Sequence, residues 1–326
     1  MLFADPSIDP LLVLLAALAL DAAAGEMRFV FRRVPHPVAA LGRLIEWLEA
    51  RLNRPQRPPA TRRWRGVLTI ALAAGLAVAV GLAIAGLARA LPFGWAIEVF
   101  CVAVLIAQRS LYTHVAAVLR ELERGGVAGG REAIRHIVGR DPESLDEHGV
   151  ARAAIESLAE NFADGVVAPA FWYLVAGLPG IFAAKAVNTL DSMIGHMTPR
   201  HREFGWAAAR LDTALNFVPA RIAGVLIALA AVVTPLAQPS GAFETMRRDA
   251  RLHRSVNAGW PESAMAGALG LALAGPRRYA DRFVDDPWIG DGRKEATGFD
   301  IGRALLLFVF ACLVHAIALA VLRLFV

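Results

Sequence analysis

The sequence predicts an all-α, polytopic integral membrane protein, and three observations carry that expectation. Hydrophobic residues make up 56% of the 326-residue chain and the mean hydropathy is +0.49, against the roughly 45–50% apolar content of soluble domains. Uncharged runs at 66–88, 165–184, 222–243 and 304–322 hold 23, 20, 22 and 19 residues, close to the roughly 20 apolar residues that carry a helix across a bilayer core. Basic residues gather between these runs, with ten arginines in 21–65 alone. Two weaker runs, 10–20 and 91–107 (the second broken by Glu98), bring the expected number of spans to four to six.

The elements follow in order. Residues 10–20 begin a short apolar helix that runs into Asp21. Pro35-His36-Pro37 fixes two backbone φ angles and bars a helix through the pair. Residues 38–52 form an amphipathic helix, with Leu41, Leu44, Ile45 and Leu48 on one face and Glu46 and Glu49 on the other. A proline-rich link at 54–59 leads to the clearest span, 66–91. Pro92-Phe93-Gly94 turns the chain and 95–119 returns as helix. A flexible break at 125–130, a short helix at 131–138 and a turn at 139–142 follow. Pro169, Pro179 and Gly180 interrupt 165–184, so a broken or re-entrant segment lining a polar cavity is expected there. Thr198-Pro199 reads as a helix start. Asn257-Ala258-Gly259-Trp260-Pro261 reads as a loop feeding a small-residue helix at 263–273.

The whole chain reads as a single membrane domain. By the excess of arginine and lysine, loops at 21–65, 108–152 and 244–303 belong in the cytoplasm. No basic, charged n-region precedes the first apolar run, so no secretory signal is expected. Cys101 and Cys312 both lie in apolar runs and read as small core residues. The net charge of +5 is first a topology signal. No basic helix with interleaved aromatics suggests nucleic-acid binding.

Residues 151–221 carry ionisable and amide side chains inside apolar sequence, and such groups at membrane depth are a functional hypothesis by default. Glu156, Glu160 and Asp164 stand four apart, which on one helix gives three carboxylates on one face. Their repulsion asks for a cation, either Mg²⁺ or basic groups such as Arg152 and Lys185. Lys185, Asn188 and Asp191 stand three apart on the next helix, suited to a metal or a phosphate. Asp212 and Asn216 stand one turn apart, either as site residues or as a hydrogen-bonded structural pair. The glycine turn Gly290-Asp291-Gly292-Arg293 could let backbone approach a phosphate. These groups are expected to converge on one cavity facing the cytoplasm. The same helices would also suit a Mg²⁺-dependent intramembrane prenyltransferase, and a non-enzymatic membrane scaffold or sensor is a further alternative.

Several long motifs in a fixed order resemble the CobD/CbiB family of cobalamin-biosynthesis membrane proteins, the adenosylcobinamide-phosphate synthases. They are Pro35-His36-Pro37-Val38, Glu156-Ser157-Leu158-Ala159-Glu160-Asn161 with Asp164-Gly165, Lys185-Ala186-Val187-Asn188-Thr189-Leu190-Asp191, Arg210-Leu211-Asp212, Asn257-Ala258-Gly259-Trp260-Pro261-Glu262 and Ile289-Gly290-Asp291-Gly292-Arg293. One departure stands at 21–28, where an alanine-rich segment precedes Glu26. The resemblance implies an ATP- and Mg²⁺-dependent amide ligation in the cell inner membrane. It would join the corrinoid adenosylcobyric acid to aminopropanol or its O-phosphate.

With the residue chemistry, the resemblance assigns catalysis to Glu156, Glu160, Asn161, Lys185, Asn188 and Asp212. It assigns substrate binding to His36, Arg210, Asn216, Asn257, Glu262, Asp291 and Arg293, and metal binding to Asp164 and Asp191. No Gly-x-x-x-x-Gly-Lys-Ser/Thr loop occurs, so an ATP site here is not a P-loop. The expected partners are the corrinoid and its amine, membrane lipid, and either a second copy or other membrane enzymes of the pathway. Nucleic acid is not among them.

Overall fold

The computed structural model describes residues 9–25, 27, 31–32, 35–135, 137, 141–279 and 282–325. The protein is all-α, 75% helical with almost no sheet. Its chain forms two compact units, one of residues 1–107 with 168–216 and one of 108–167 with 217–326.

In the first unit, α1 (Pro10–Ala24) starts where the Asp9 carboxylate accepts from Leu11 N at 2.9 Å, with Pro10 at the first helical position. The next helix, α2 (Pro37–Leu52), is capped by His36, whose Nδ1 accepts from Val38 N at 3.3 Å. Then α3 (Pro59–Ala90) runs for 32 residues. Its outer side bears Leu68, Leu72 and Leu76, each about half exposed, as a lipid-facing side should. Its inner side is a seam of small residues, including Ala73, Ala77, Gly81 and Ala85. The seam lets α7 (Ala168–Ile194) come close: a Cβ on Gly81 would lie 2.8 Å from Pro179 Cα. Helix α4 (Trp95–Leu105) packs on α1 and α7, and α8 (Trp206–Leu215) packs on α3 and α7. A core of Ile45, Leu48, Ile70, Ala73, Leu190, Ile194, Phe204 and Ala208 joins α2, α3, α7 and α8.

The second unit contains α5 (Gln108–Ile134), α6 (Glu147–Phe162), a π-turn at Ala163–Val167 and α9 (Phe217–Ala230). It continues with α10 (Pro239–Asp249), α11 (Gly259–Leu269) and α12 (Gly298–Leu322). Helix α11 is buried along its whole length and packs on α9 and α10. Two antiparallel ribbons, β1 (Leu273–Ala274) with β4 (Trp288–Ile289) and β2 (Arg277–Tyr279) with β3 (Arg282–Val284), fill the stretch before α12.

Among the described residues four helical stretches are long and apolar enough to cross a membrane: Pro59–Ala90, Trp95–Ile134, Glu147–Ile194 and Gly298–Leu322. The bent pair Trp206–Leu215 and Phe217–Ala230 makes a fifth if it counts as one span. The 48 residues of Glu147–Ile194 would measure roughly 72 Å if straight, more than twice a bilayer core of roughly 30 Å. The expected break is present inside α7, at Ala176 (φ −139°, ψ 16°) and Gly177 (φ 65°). Gly180 closes the bend, since a Cβ there would meet Trp172 O at 2.3 Å.

Several local expectations are corrected. The run 222–243 is not one span: α9 ends at Ala230, turns follow, and α10 starts at Pro239. Pro235 and Pro239 lack the N–H that a continuous helix would need. The 95–119 return is cut by extended backbone at Ile106 (ψ 147°). The break at 125–130 is a single residue, Gly126 (φ 59°), and helix continues to Ile134. Val138 and the start of the 139–142 turn lie outside the described residues, as does Glu26. Thr198-Pro199 opens only a turn, and the helix begins at Trp206. Trp260, Pro261 and Glu262 belong to the first turn of α11, not to a loop before it, and the helix ends at Leu269. The segment 244–303 is largely packed structure, not a solvated loop.

The α3 seam yields a test within one helix. Gly81→Ala must push the Pro179 backbone and should cost about 1–3 kcal/mol. Gly75→Ala meets nothing within 4 Å and should be neutral or stabilising by up to about 1 kcal/mol. Thermal unfolding in detergent should lower Tm for the first variant only.

Candidate functional site

In the second unit, His148, Arg152 and Glu156 stand four apart on α6, so one face of the helix carries all three. The chain before α12 lies along that face. His148 Nδ1 is 2.9 Å from Ala296 O, and Arg152 Nη1 donates to Lys294 O at 2.5 Å. Glu156, 3% exposed, accepts from Ala274 N at 2.8 Å. Arg152 and Lys294 both approach the Trp288 ring, at 5.4 and 4.8 Å from its centroid.

Beyond Glu156 the surroundings change. Glu160 and Asn161 are exposed and Asp164, in the π-turn, is half-buried. Asn161 Nδ2 donates back to Ser157 O at 2.8 Å. The three carboxylates therefore differ in burial, and no group of three His, Cys, Asp or Glu side chains among the described residues is placed to hold one metal ion. These donors do not make a resident metal cage. They suit an ion that arrives on substrate phosphates and needs only one or two carboxylates.

The glycine turn has a different use from the one expected. A Cβ on Gly290 would meet Leu271 O at 2.4 Å, and one on Gly292 would meet Gly270 O at 2.2 Å. The close backbone approach is made by the chain itself. Arg248 bridges the turn to α10: its Nε and Nη2 donate to Asp249 at 2.7 and 2.8 Å, and its Nη1 donates to Asp291 at 2.9 Å. That guanidinium holds both carboxyls below their ordinary range, and Gly290 N adds a bond to Asp249 at 2.8 Å. Arg293 Nη2 sits 2.9 Å from each oxygen of Asp300, which is fully buried and also caps α12 through Thr297 N at 2.9 Å. Asn257 and Glu262 are buried, with His253 Nε2 3.7 Å from Glu262.

In the first unit, α7 presents Lys185, Asn188 and Asp191, all half-buried. The Asp191 carboxylate rests on Gly195, where a Cβ would come within 1.9 Å of Oδ1. On α8, Arg210 is exposed, while Asn216 is buried and its Nδ2 donates to Asp212 Oδ1 at 3.1 Å. Asp212 and Asn216 are thus a hydrogen-bonded pair. His36 caps α2 and stands 4.5 Å from the Phe31 ring.

Sequence reasoning missed two polar groupings in this unit. The first is Glu98 of α4, whose Oε2 accepts from the buried Tyr173 hydroxyl at 2.7 Å. The second centres on Glu49. That residue was expected on the outer face of α2, yet it is buried beside Ile45 and Leu48. Arg200 forks onto it at 2.8 and 2.6 Å, and Asn53 Nδ2 donates to it at 2.8 Å. Asn53 also donates to Arg200 O at 3.0 Å and accepts from Arg62 Nε at 3.0 Å. The turns between Asp191 and Arg210 are clasped to α2 in this way. The only sequence signal was Glu49 standing one residue off the apolar stripe.

A polytopic helical protein that keeps acidic and amide side chains on its apolar helices defines the class. Its family follows from comparison with known proteins. The model of the CobD/CbiB protein family matches residues 14–308. A Brucella suis protein named "Cobalamin biosynthesis protein CobD" is 52% identical over 306 residues, 91% of this chain and 92% of its own. Proteins of the same name from Rhizobium meliloti and Rhodobacter capsulatus are 50% and 47% identical, over 96% and 91% of this chain and 97% and 92% of theirs. The chain belongs to the CobD/CbiB family. No solved structure matches it.

The Glu49 clasp has a pH signature. Arg200 holds the Glu49 carboxyl below its ordinary 4.5, so its contribution is complete above that value and is lost as pH falls through the lowered one. Burial depresses His201, Nε2 3.5 Å from Glu49, below 6.5 and outweighs the attraction of the carboxylate. Because the unfolded chain takes up that proton first, stability should decline as pH drops below 6.5. Glu49→Gln should lower stability at neutral pH by about 1–2 kcal/mol, discounted because Arg200 is largely exposed. In thermal unfolding across pH 7 to 4, the difference from wild type should shrink at the acid end.

Proposed function

We propose that this protein acts in cobalamin biosynthesis as an amide-forming ligase of the cell inner membrane, joining adenosylcobyric acid to aminopropanol or its O-phosphate with ATP. The observation that carries the reading is the family match over residues 14–308, with relatives near half identity named for cobalamin biosynthesis. The chemistry is coherent with the residues. A carboxylate is a poor electrophile. Transfer of the ATP γ-phosphoryl to a propionate of the corrinoid gives an acyl phosphate and ADP. The amine then attacks the acyl carbon, phosphate leaves, and a base takes the amine proton.

Mg²⁺ would enter as the nucleotide's counter-ion, and Asp164 and Asp191, each considered in its own unit, are its candidate carboxylate ligands. Lys185 and Arg210 supply positive charge for phosphoryl oxygens. Among the carboxylates, Glu160 is the better base candidate, since it is exposed while Glu156 is engaged with Ala274 N. Asn188 and Asn161 supply amides that orient substrate. His36, Asn216, Asp291 and Arg293, which also fix helix ends and turns, and the buried Asn257 and Glu262 are the expected substrate-binding residues. The active site is expected to face the cytoplasm.

Detergent-purified protein given adenosylcobyric acid, Mg·ATP and either aminopropanol compound should yield a new amide by mass spectrometry. No product with either amine would refute the assignment. Asp164→Asn and Asp191→Asn should each lower turnover by roughly 100-fold, on the scale of losing one charge-stabilising group. Unfolding temperatures should stay near wild type. A lowered Tm with near-normal turnover would make these carboxylates structural instead.

A further inference from the structure

One surface of the first unit is strongly basic and aromatic, and the ligase reading does not use it. Segments 37–65 and 196–206 together hold nine arginines against three glutamates. The acids are largely spent within the surface: Glu49 takes Arg200, and Glu203 takes Arg63 at 2.6 Å and Arg202 at 3.7 Å. Arg43, Arg51, Arg54 and Arg57 are exposed and make no ion pair among the described residues. The Asn53–Arg62–Arg200 hydrogen bonds tie the two segments into one face.

Indoles are interleaved with these cations. Trp47, Trp64 and Trp206 are 55%, 72% and 47% exposed. The Arg51 guanidinium lies 5.3 Å from the Trp47 ring centroid and that of Arg63 lies 5.9 Å from Trp206. An exposed indole flanked by arginine is the side-chain chemistry of a membrane–water interface. The depth of the surface is fixed as well. Trp64 stands three residues before Val67, where the exposed apolar side of α3 begins. A helix that enters lipid at Val67 holds Arg62, Arg63 and Arg65 at the level of the headgroups.

We propose that this face binds the phosphate headgroups of anionic phospholipid. The surplus guanidiniums supply charge complementarity, and their planar donors match phosphate oxygens better than a point charge would. The indoles set the depth at which the arginines meet the headgroups. Through Arg200 and Asn53 a bound headgroup would also steady the turns that lead from Asp191 to Arg210.

The test is native mass spectrometry of the full chain released from nanodiscs of equimolar phosphatidylglycerol and phosphatidylcholine. Wild type should retain phosphatidylglycerol over phosphatidylcholine by at least about tenfold. The triple variant Arg51→Gln, Arg54→Gln, Arg57→Gln alters exposed side chains only, and should lose most of that preference while keeping its Tm. A second variant, Arg109→Gln with Arg124→Gln, removes arginines from the other unit and should keep the preference. Equal retention of both lipids, a preference untouched by the triple variant, or a self-associated dimer carrying neither lipid would overturn the proposal.

Discussion

A carboxylate withdrawn from water must be met by donors, or the folded state loses several kcal/mol. That constraint shapes each unit. In the first, Glu49 is buried only because Arg200 forks onto it and Asn53 adds a donor. In the second, Asp300 is fully buried because Arg293, Arg303 and Thr297 surround it, and Glu156 because Ala274 N points at it. Glu49 and Glu156 join segments distant in sequence, whereas Asp300 gathers partners within seven residues of itself. Removing one partner would leave an uncompensated charge, so these arginines and acids form a frame that fixes where the remaining polar residues stand.

Close backbone contact is the complementary device. Small residues along α3 admit α7 at Pro179, and Gly66 meets Phe204, where a Cβ would come within 1.9 Å of the carbonyl oxygen. In the second unit Gly267 and Gly241 bring α11 and α10 together, with a Cβ on Gly267 only 2.1 Å from Gly241 O. Helices in a lipid setting gain little from apolar association as such, so close packing must do more of the work. The same reasoning explains the Gly290-Asp291-Gly292 turn. Its glycines admit the chain at Gly270–Leu271, and its aspartate is held by Arg248.

How much of this was legible in the sequence depended on the range of the signal. Long apolar runs and the Pro179-Gly180 interruption act locally, and helix class, approximate spans and the broken α7 follow from them, although the break itself falls at Ala176 and Gly177. The false span at 222–243 arose because composition alone cannot weigh Pro235 and Pro239 against the apolar residues around them. Glu49 was misplaced because a helical stripe tells which side is apolar, not whether an arginine 151 residues away will come to a neighbouring acid. The equal spacing of Glu156, Glu160 and Asp164 suggested equal surroundings, whereas the chain before α12 covers the helix only as far as Glu156.

This uneven cover divides the family motifs by what the fold already asks of them. Asn161 donates to its own helix, Asn216 to Asp212, and Arg293 to Asp300. Each of these side chains has a hydrogen-bond partner within the fold. Asn188 and Arg210 differ: their side chains make no hydrogen bond or ion pair among the described residues, though both stand on well-packed helices. An amide kept half-buried on an apolar helix has a desolvation cost that the fold does not return. Rigid helices carrying polar heads not employed by the fold are what a charged substrate requires, because positioning is then complete before it binds. The Glu49 clasp holds in place the segment between Asp191 and Arg210, on which these polar heads depend for their position.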